Sequence, residues 1–146
     1  MPTVEDVLRI KGSDVYSIPA TATVLEATQK MNERRIGALV ITAQDQVVGI
    51  FTERDVLRRV VAEQLDPRTT TVGEVMSGQV ICCHRETDLD EVGSIMKQRR
   101  IRHVPVCCGK TGKLQGLISI GDLNAFRSDD QQATIHFLSE YIYGRA

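Results

Sequence analysis

The sequence predicts an α/β (α+β) fold built from two tandem repeats, each a small sheet with flanking helices. Three observations lead there. Glu26, Met31, Arg34, Arg35 and Ile36 return as Glu91, Met96, Arg99, Arg100 and Ile101, each 65 positions further on, and repetition at a fixed spacing marks a duplicated structural unit. Within each copy, capped amphipathic stretches alternate with short apolar runs. The chain has 146 residues, 42% of them hydrophobic, enough for a core but too few for two large units.

The elements follow in order. Thr3-Val4-Glu5-Asp6-Val7-Leu8 matches Thr71-Val72-Gly73-Glu74-Val75-Met76 at an offset of 68, and each stretch reads as a short helix. The change of offset places an insertion at Ile10–Asp14 of the first copy. Thr23 with Glu26, and Asp88 with Glu91, give capping-box starts to helices that present Val24, Ala27 and Met31, or Leu89, Val92 and Met96, on one face. Those methionines read as core. Ala38–Thr42 and His103–Cys107 read as buried strands, followed by strands Val47–Thr52 and Leu114–Ser119. Pro105 predicts an edge or irregular position, because it lacks an amide hydrogen. Arg54–Leu65 reads as a closing helix and Asp66-Pro67-Arg68 as the link. Residues 1–66 thus form the first repeat, 67–127 the second and 128–146 a C-terminal helix.

Composition narrows the function. Lys and Arg total 18 against 19 Asp and Glu, so the basic surplus of a nucleic-acid binder is missing. Aromatics make up 4% with no Trp, which leaves little for stacking platforms. No apolar run is long enough to span a bilayer, and Met1–Asp6 has no secretory pattern, so the expectation is a cytoplasmic chain away from membranes. The cysteines come as two adjacent pairs, Cys82-Cys83 and Cys107-Cys108, not at metal-motif spacing. On strands, one of each pair becomes a small core residue. A soft-metal or redox cluster with His84 would require side chains to converge where neighbours point apart. His84 and His136 otherwise read as ordinary structural or surface residues.

Chemistry is suggested by a motif that occurs twice: Gly49-Ile50-Phe51-Thr52-Glu53-Arg54-Asp55 and Gly116-Leu117-Ile118-Ser119-Ile120-Gly121-Asp122. A hydroxyl with an acid three residues on is a sound helix cap and needs no further role. The same strand-to-helix turn also puts a hydroxyl, free amides and a carboxylate at one cleft edge, which suits a nucleotide. Hydroxyl and amides donate to phosphate, while the Asp carboxylate accepts both hydrogens of a ribose cis-diol.

This motif, twice preceded by Arg-Arg-Ile and a short apolar strand, resembles a tandem pair of CBS domains over residues 1–127. The resemblance implies two repeats packed about a pseudo-two-fold axis, a Bateman module, with clefts for adenosine-containing ligands: AMP, ADP, ATP, NAD(H) or S-adenosylmethionine. It implies that Thr52 and Asp55 serve one cleft, and Ser119 and Asp122 the other. Apolar stretches around Tyr16–Ile18, Ile36–Leu39, Val80–Cys83 and Ile101–Val104 would hold the adenine, bringing in Ile18, Ile36, Gly37, Ala38 and Ile101. Arg102-His103 replaces Gly37-Ala38 in the second copy, which makes the Ser119/Asp122 cleft the expected better phosphate site. Arg54 is the expected cation of the first cleft, or else a surface charge beside Glu53 or Asp55.

Ser128-Asp129-Asp130 is expected to begin a last helix with Ile135, Leu138 and Ile142 in one stripe and Phe137 and Tyr141 nearby. That stripe covers its own repeat or meets a second copy in a homodimer. The expected function is a non-catalytic regulatory sensor that takes an adenine nucleotide as its ligand, requires no cofactor or metal and acts on a regulated protein partner. The alternative is a homodimerisation scaffold whose turns are only caps. An enzyme is disfavoured, since no nucleophile, base and orienting group occur together.

Overall fold

The computed structural model describes residues 1–131. In chain order the elements are α1 (Val4–Lys11), β1 (Ser17–Pro19), α2 (Val24–Arg34), β2 (Ala38–Ala43), β3 (Gln46–Thr52), α3 (Glu53–Asp55) running into a π-helical stretch (Val56–Val61), α4 (Val72–Val75), α5 (Leu89–Arg99), β4 (His103–Cys107), β5 (Leu114–Ser119) and α6 (Ile120–Gln131). In the first sheet β2 lies between β1, parallel to it, and β3, antiparallel to it; β4 and β5 form an antiparallel pair. The two halves are related α+β repeats.

The cores are reciprocally interlocked. Val72 and Val75 of α4, from the second repeat, lie in the core of the first with Ile18, Val24, Ala27, Met31, Leu39, Ile41 and Phe51. Val4, Val7 and Leu8 of α1 lie in the core of the second with Leu89, Val92, Met96, Val104, Val106, Ile118 and Leu123. Backbone bonds pin both exchanges: Val72 N–H donates to Ala22 O (2.8 Å), and Val4 N–H to Thr87 O (2.9 Å). The motif glycines mark the docking points. A Cβ at Gly49 would overlap the Met76 sulfur and stand 3.0 Å from the Ser77 carbonyl oxygen, while one at Gly116 would stand 2.9 Å from Leu8 Cδ2.

Four local expectations change. The Cys82-Cys83 stretch, expected on a strand, makes only one bridge, Cys83 with Val106. In the first repeat the Val40 N–H donates to Tyr16 O (3.2 Å); the residue 65 positions after Val40 is Pro105, which has no hydrogen to donate, so the ladder stops. The Asp88 side chain makes no cap bond. The Leu89 N–H at this helix start donates to the Pro2 carbonyl (3.1 Å), as the Val24 N–H of the first repeat does to the Thr70 carbonyl (2.8 Å), where the Thr23 side chain also caps. The expected closing helix of the first repeat is one α-turn followed by the π-helical Val56–Val61. No separate helix starts at Ser128, because α6 runs unbroken to Gln131; the stripe Ile135, Leu138, Ile142 with His136, Phe137 and Tyr141 lies outside the described residues.

Candidate functional site

Both Thr/Ser-x-x-Asp turns form as reciprocal caps. Thr52 N–H donates to Asp55 Oδ2 (2.9 Å) and Asp55 N–H to Thr52 Oγ1 (3.3 Å). Ser119 N–H donates to Asp122 Oδ2 (2.9 Å) and Asp122 N–H to Ser119 Oγ (3.0 Å). In each turn the hydroxyl is an acceptor within the cap, so its own proton is free for another partner.

A cleft of about 450 Å³ opens at the first turn. The first repeat contributes Gly37, Thr52, Arg54 and Asp55 to its lining, and the second contributes Val80, Ile81, Ile101, Arg102 and His103. Arg102 and His103, expected at the Ser119/Asp122 corner, therefore line the cleft of Thr52 and Asp55. The backbone explains the crossing. The Arg102 carbonyl accepts the Ile120 N–H (2.8 Å) and His103 pairs with Ser119 in the β4–β5 ladder, so this segment stands at its own corner while reaching the facing repeat. Burial holds the His103 imidazole below its ordinary value; Lys11 and Arg102 add to that, and the Asp122 and Glu53 carboxylates oppose it. His103 thus lies within electrostatic reach of both corners.

Five arginines line this cleft, Arg54, Arg58, Arg59, Arg100 and Arg102, against the carboxylates of Glu53 and Asp55. Arg59 is engaged: its Nη1 donates to the Val75 and Met76 carbonyls (3.2 and 3.0 Å), and its Nε stands 3.6 Å from Asp55 Oδ1. The other four are exposed. Arg58 and Arg100 were missed in the sequence. Arg58 falls one helical turn after Arg54, and Arg100 caps α5 in the left-handed conformation, φ 56°, directly before Ile101.

The second corner carries a different cation. Lys11, at the end of α1, donates to Asp122 Oδ2 (2.6 Å) and to the Leu117 carbonyl (2.8 Å). Burial alone would raise the Asp122 carboxyl, yet bonds from Lys11 and Ser119 hold it below its ordinary value. Of the remaining expected contacts, Ile18 lies in the first-repeat core and Ile36 packs against that core. Ala38 is buried opposite Thr52 in the β2–β3 ladder.

No helix among the described residues is long and apolar enough to cross a membrane. A family model for the CBS domain matches residues 3–62 and again 72–129. A mitochondrial CBS domain-containing protein of Arabidopsis thaliana is 30% identical over 97% of this chain and 72% of its own length. The solved structure of a protein with CBS domains from Burkholderia ambifaria superposes with a TM-score of 0.83 at 39% identity, covering 90% of this chain and 97% of that one. A CBS domain protein of Pyrobaculum aerophilum, solved in complex with AMP, gives a TM-score of 0.74 at 29% identity over 83% of this chain and 89% of its own. Two matched repeats, related folds and the doubled turn place the chain in the CBS domain family as a tandem pair of such domains.

Proposed function

We propose that the protein is a non-catalytic regulatory module that binds an adenosine-containing ligand, AMP, ADP, ATP, NAD(H) or S-adenosylmethionine, in the Thr52/Asp55 cleft. The observation that carries this reading is the meeting, across the repeat interface, of the Thr52/Asp55 cap with Val80, Ile81 and Ile101 and with exposed arginines. Apolar side chains suit an adenine face, the Asp55 carboxylate suits a ribose diol, and the Thr52 hydroxyl with Arg54 and Arg102 suits phosphate. The AMP complex of the Pyrobaculum relative lends support. Because the cleft is built from both repeats, a ligand that fits one mutual arrangement better than another shifts their relation, and through it a partner surface.

The test is calorimetric titration with AMP, ADP, ATP, NAD, NADH and S-adenosylmethionine. Asp55→Ala is expected to cost about 10- to 100-fold in affinity, the range for lost hydrogen bonds to a charged group. Asp122→Ala is expected to cost less, since Asp122 is not among the residues that line this cleft and is engaged by Lys11. Equal losses would remove the assignment to this cleft. Absence of binding by all six would favour a homodimerisation scaffold. One observation supports that second reading: Leu57, Val61 and Leu65 recur every four residues and are exposed, an apolar stripe that a second copy would cover.

A further inference from the structure

The two cysteine doublets do not act as doublets. Strand alternation turns Cys83 into the second-repeat core with Val104 and Val106, and it turns Cys82 the other way. The bridge of Cys83 with Val106 sets the register, in which the Cys107 N–H donates to the Cys83 carbonyl (2.9 Å). Cys82 and Cys107 consequently share a face. Their sulfurs stand 2.9 Å apart, both as free thiols. Cys107 is buried, whereas Cys82 is partly exposed. Val80 and Ile81, immediately before Cys82, line the cleft, as does Pro105, two residues before Cys107.

We propose that Cys82 and Cys107 form a reversible intramolecular disulfide that ties the cleft wall at Val80–Ile81 to β4. The oxidant is a peroxide. The Cys82 thiolate attacks one peroxide oxygen, the O–O bond breaks, and the departing hydroxide takes a proton to leave as water. Cys82 is then a sulfenic acid. The Cys107 sulfur attacks it, the S–S bond forms as the S–O bond breaks, and a second water leaves with the Cys107 proton. The two sulfurs lose two electrons, and a dithiol returns them by exchange.

The division of labour follows from the surroundings. The hydrogen bond from Cys107 brings the Cys82 thiol down to about 7, against the effect of burial and with help from His84. The same bond, with burial, pushes Cys107 up, so it keeps its proton. Burial pushes Cys83 up to about 12, which takes it out of competition. Cys108 is also partly exposed and its thiol is lowered by bonds from Thr111 and Lys110, but Cys82 joins access and thiolate character to a resolving sulfur already in contact.

The test uses the full chain, reduced and then exposed to a small excess of hydrogen peroxide, alkylated and digested with trypsin. Cleavage at arginine and lysine places Cys82 in peptide 69–85 and Cys107 in peptide 103–110. The expected product is those two peptides linked, with two of the four thiols lost and both recovered on adding dithiothreitol. Cys82→Ser abolishes the link, while Cys108→Ser, at a partly exposed position, preserves it. Fragmentation of the linked pair identifies the joined sulfurs without any variant. A link through Cys83 or Cys108, a link between two chains, or oxidation that stops at a Cys82 sulfinic acid would overturn the proposal. Amide exchange at residues 79–83 is expected to slow on oxidation, and an unchanged rate would overturn the tie to the cleft wall. Neither readout needs a nucleotide, so this inference stands or falls apart from the proposed ligand.

Discussion

The Thr52/Asp55 and Ser119/Asp122 turns are near copies in sequence and cap geometry, yet their carboxylates meet different company. Asp55 faces Arg59 of its own helix at 3.6 Å, in a cleft to which the other repeat brings Arg100, Arg102 and His103 beside the uncharged Ser77 and Gln79. Asp122 is held at 2.6 Å by Lys11 from the opposite end of the chain. Lys11 belongs to the insertion Ile10–Asp14 that the second copy lacks. A duplicated motif reproduces the local cap faithfully, because the cap needs only the residues within it. What the cap can do depends on which remote charges the exchanged helices deliver, and there the copies have diverged.

Three perturbations sharpen the contrast. The largest effect is expected from the glycines on which the exchanged helices dock. Gly49→Ala drives a methyl into Met76 and the Ser77 backbone, whereas Gly116→Ala meets the movable end of Leu8. Overpacking of this kind costs about 1–3 kcal/mol, so urea unfolding should show a greater loss for the first variant. A greater loss for Gly116→Ala would show that the first interlock is the more compliant.

Next is Lys11→Ala, which leaves the first corner untouched. Both partners are largely covered, with side chains 31% and 23% exposed, and loss of the pair should cost about 1 kcal/mol, the upper end for pairs near the surface. Because the folded Asp122 carboxyl sits below its ordinary 3.8, the contribution is present above that pH and fades as pH falls through the lower folded value. Thermal unfolding of the variant and parent should converge in acid. A difference that persists in acid would assign the loss to packing of the Lys11 stem instead.

The smallest effect is expected at His103, which both corners feel. Its folded imidazole lies below the ordinary 6.5, so the unfolded chain takes up the proton more readily. Stability is therefore full above about 6.5 and declines as pH falls toward the folded value. His103→Gln should flatten this slope between pH 7 and 5. An unchanged slope would move its origin to another group.

Much of the fold was legible because its signals are local. The expected β4 and β5 coincide with His103–Cys107 and Leu114–Ser119, and the Thr23 cap with Glu26 forms as read. Met31 and Met96 are core residues. Elements failed to match where a distant group intervened. The strand at Cys83 was cut to a bridge by a proline on its neighbour. The site was legible in type but not in assembly: Thr52, Asp55, Ser119 and Asp122 form the turns that their spacing implies, while the reach of Arg102 and His103 from their own corner into the Thr52/Asp55 cleft, and the arrival of Lys11 at Asp122, were unforeseen.

By itself the sequence determined the duplication, the two cap turns, the alternation of helix and strand and the family. These follow from hydrogen bonds and apolar periodicity within a few residues of each other. Only the tertiary structure decided that α1 and α4 exchange cores, that Arg102 and His103 face Thr52 and Asp55, and that Cys82 meets Cys107 instead of its neighbour Cys83. The first two depend on how the two repeats pack against each other, and the third on the register of the Cys83–Val106 bridge between segments more than twenty residues apart; no local spacing encodes either.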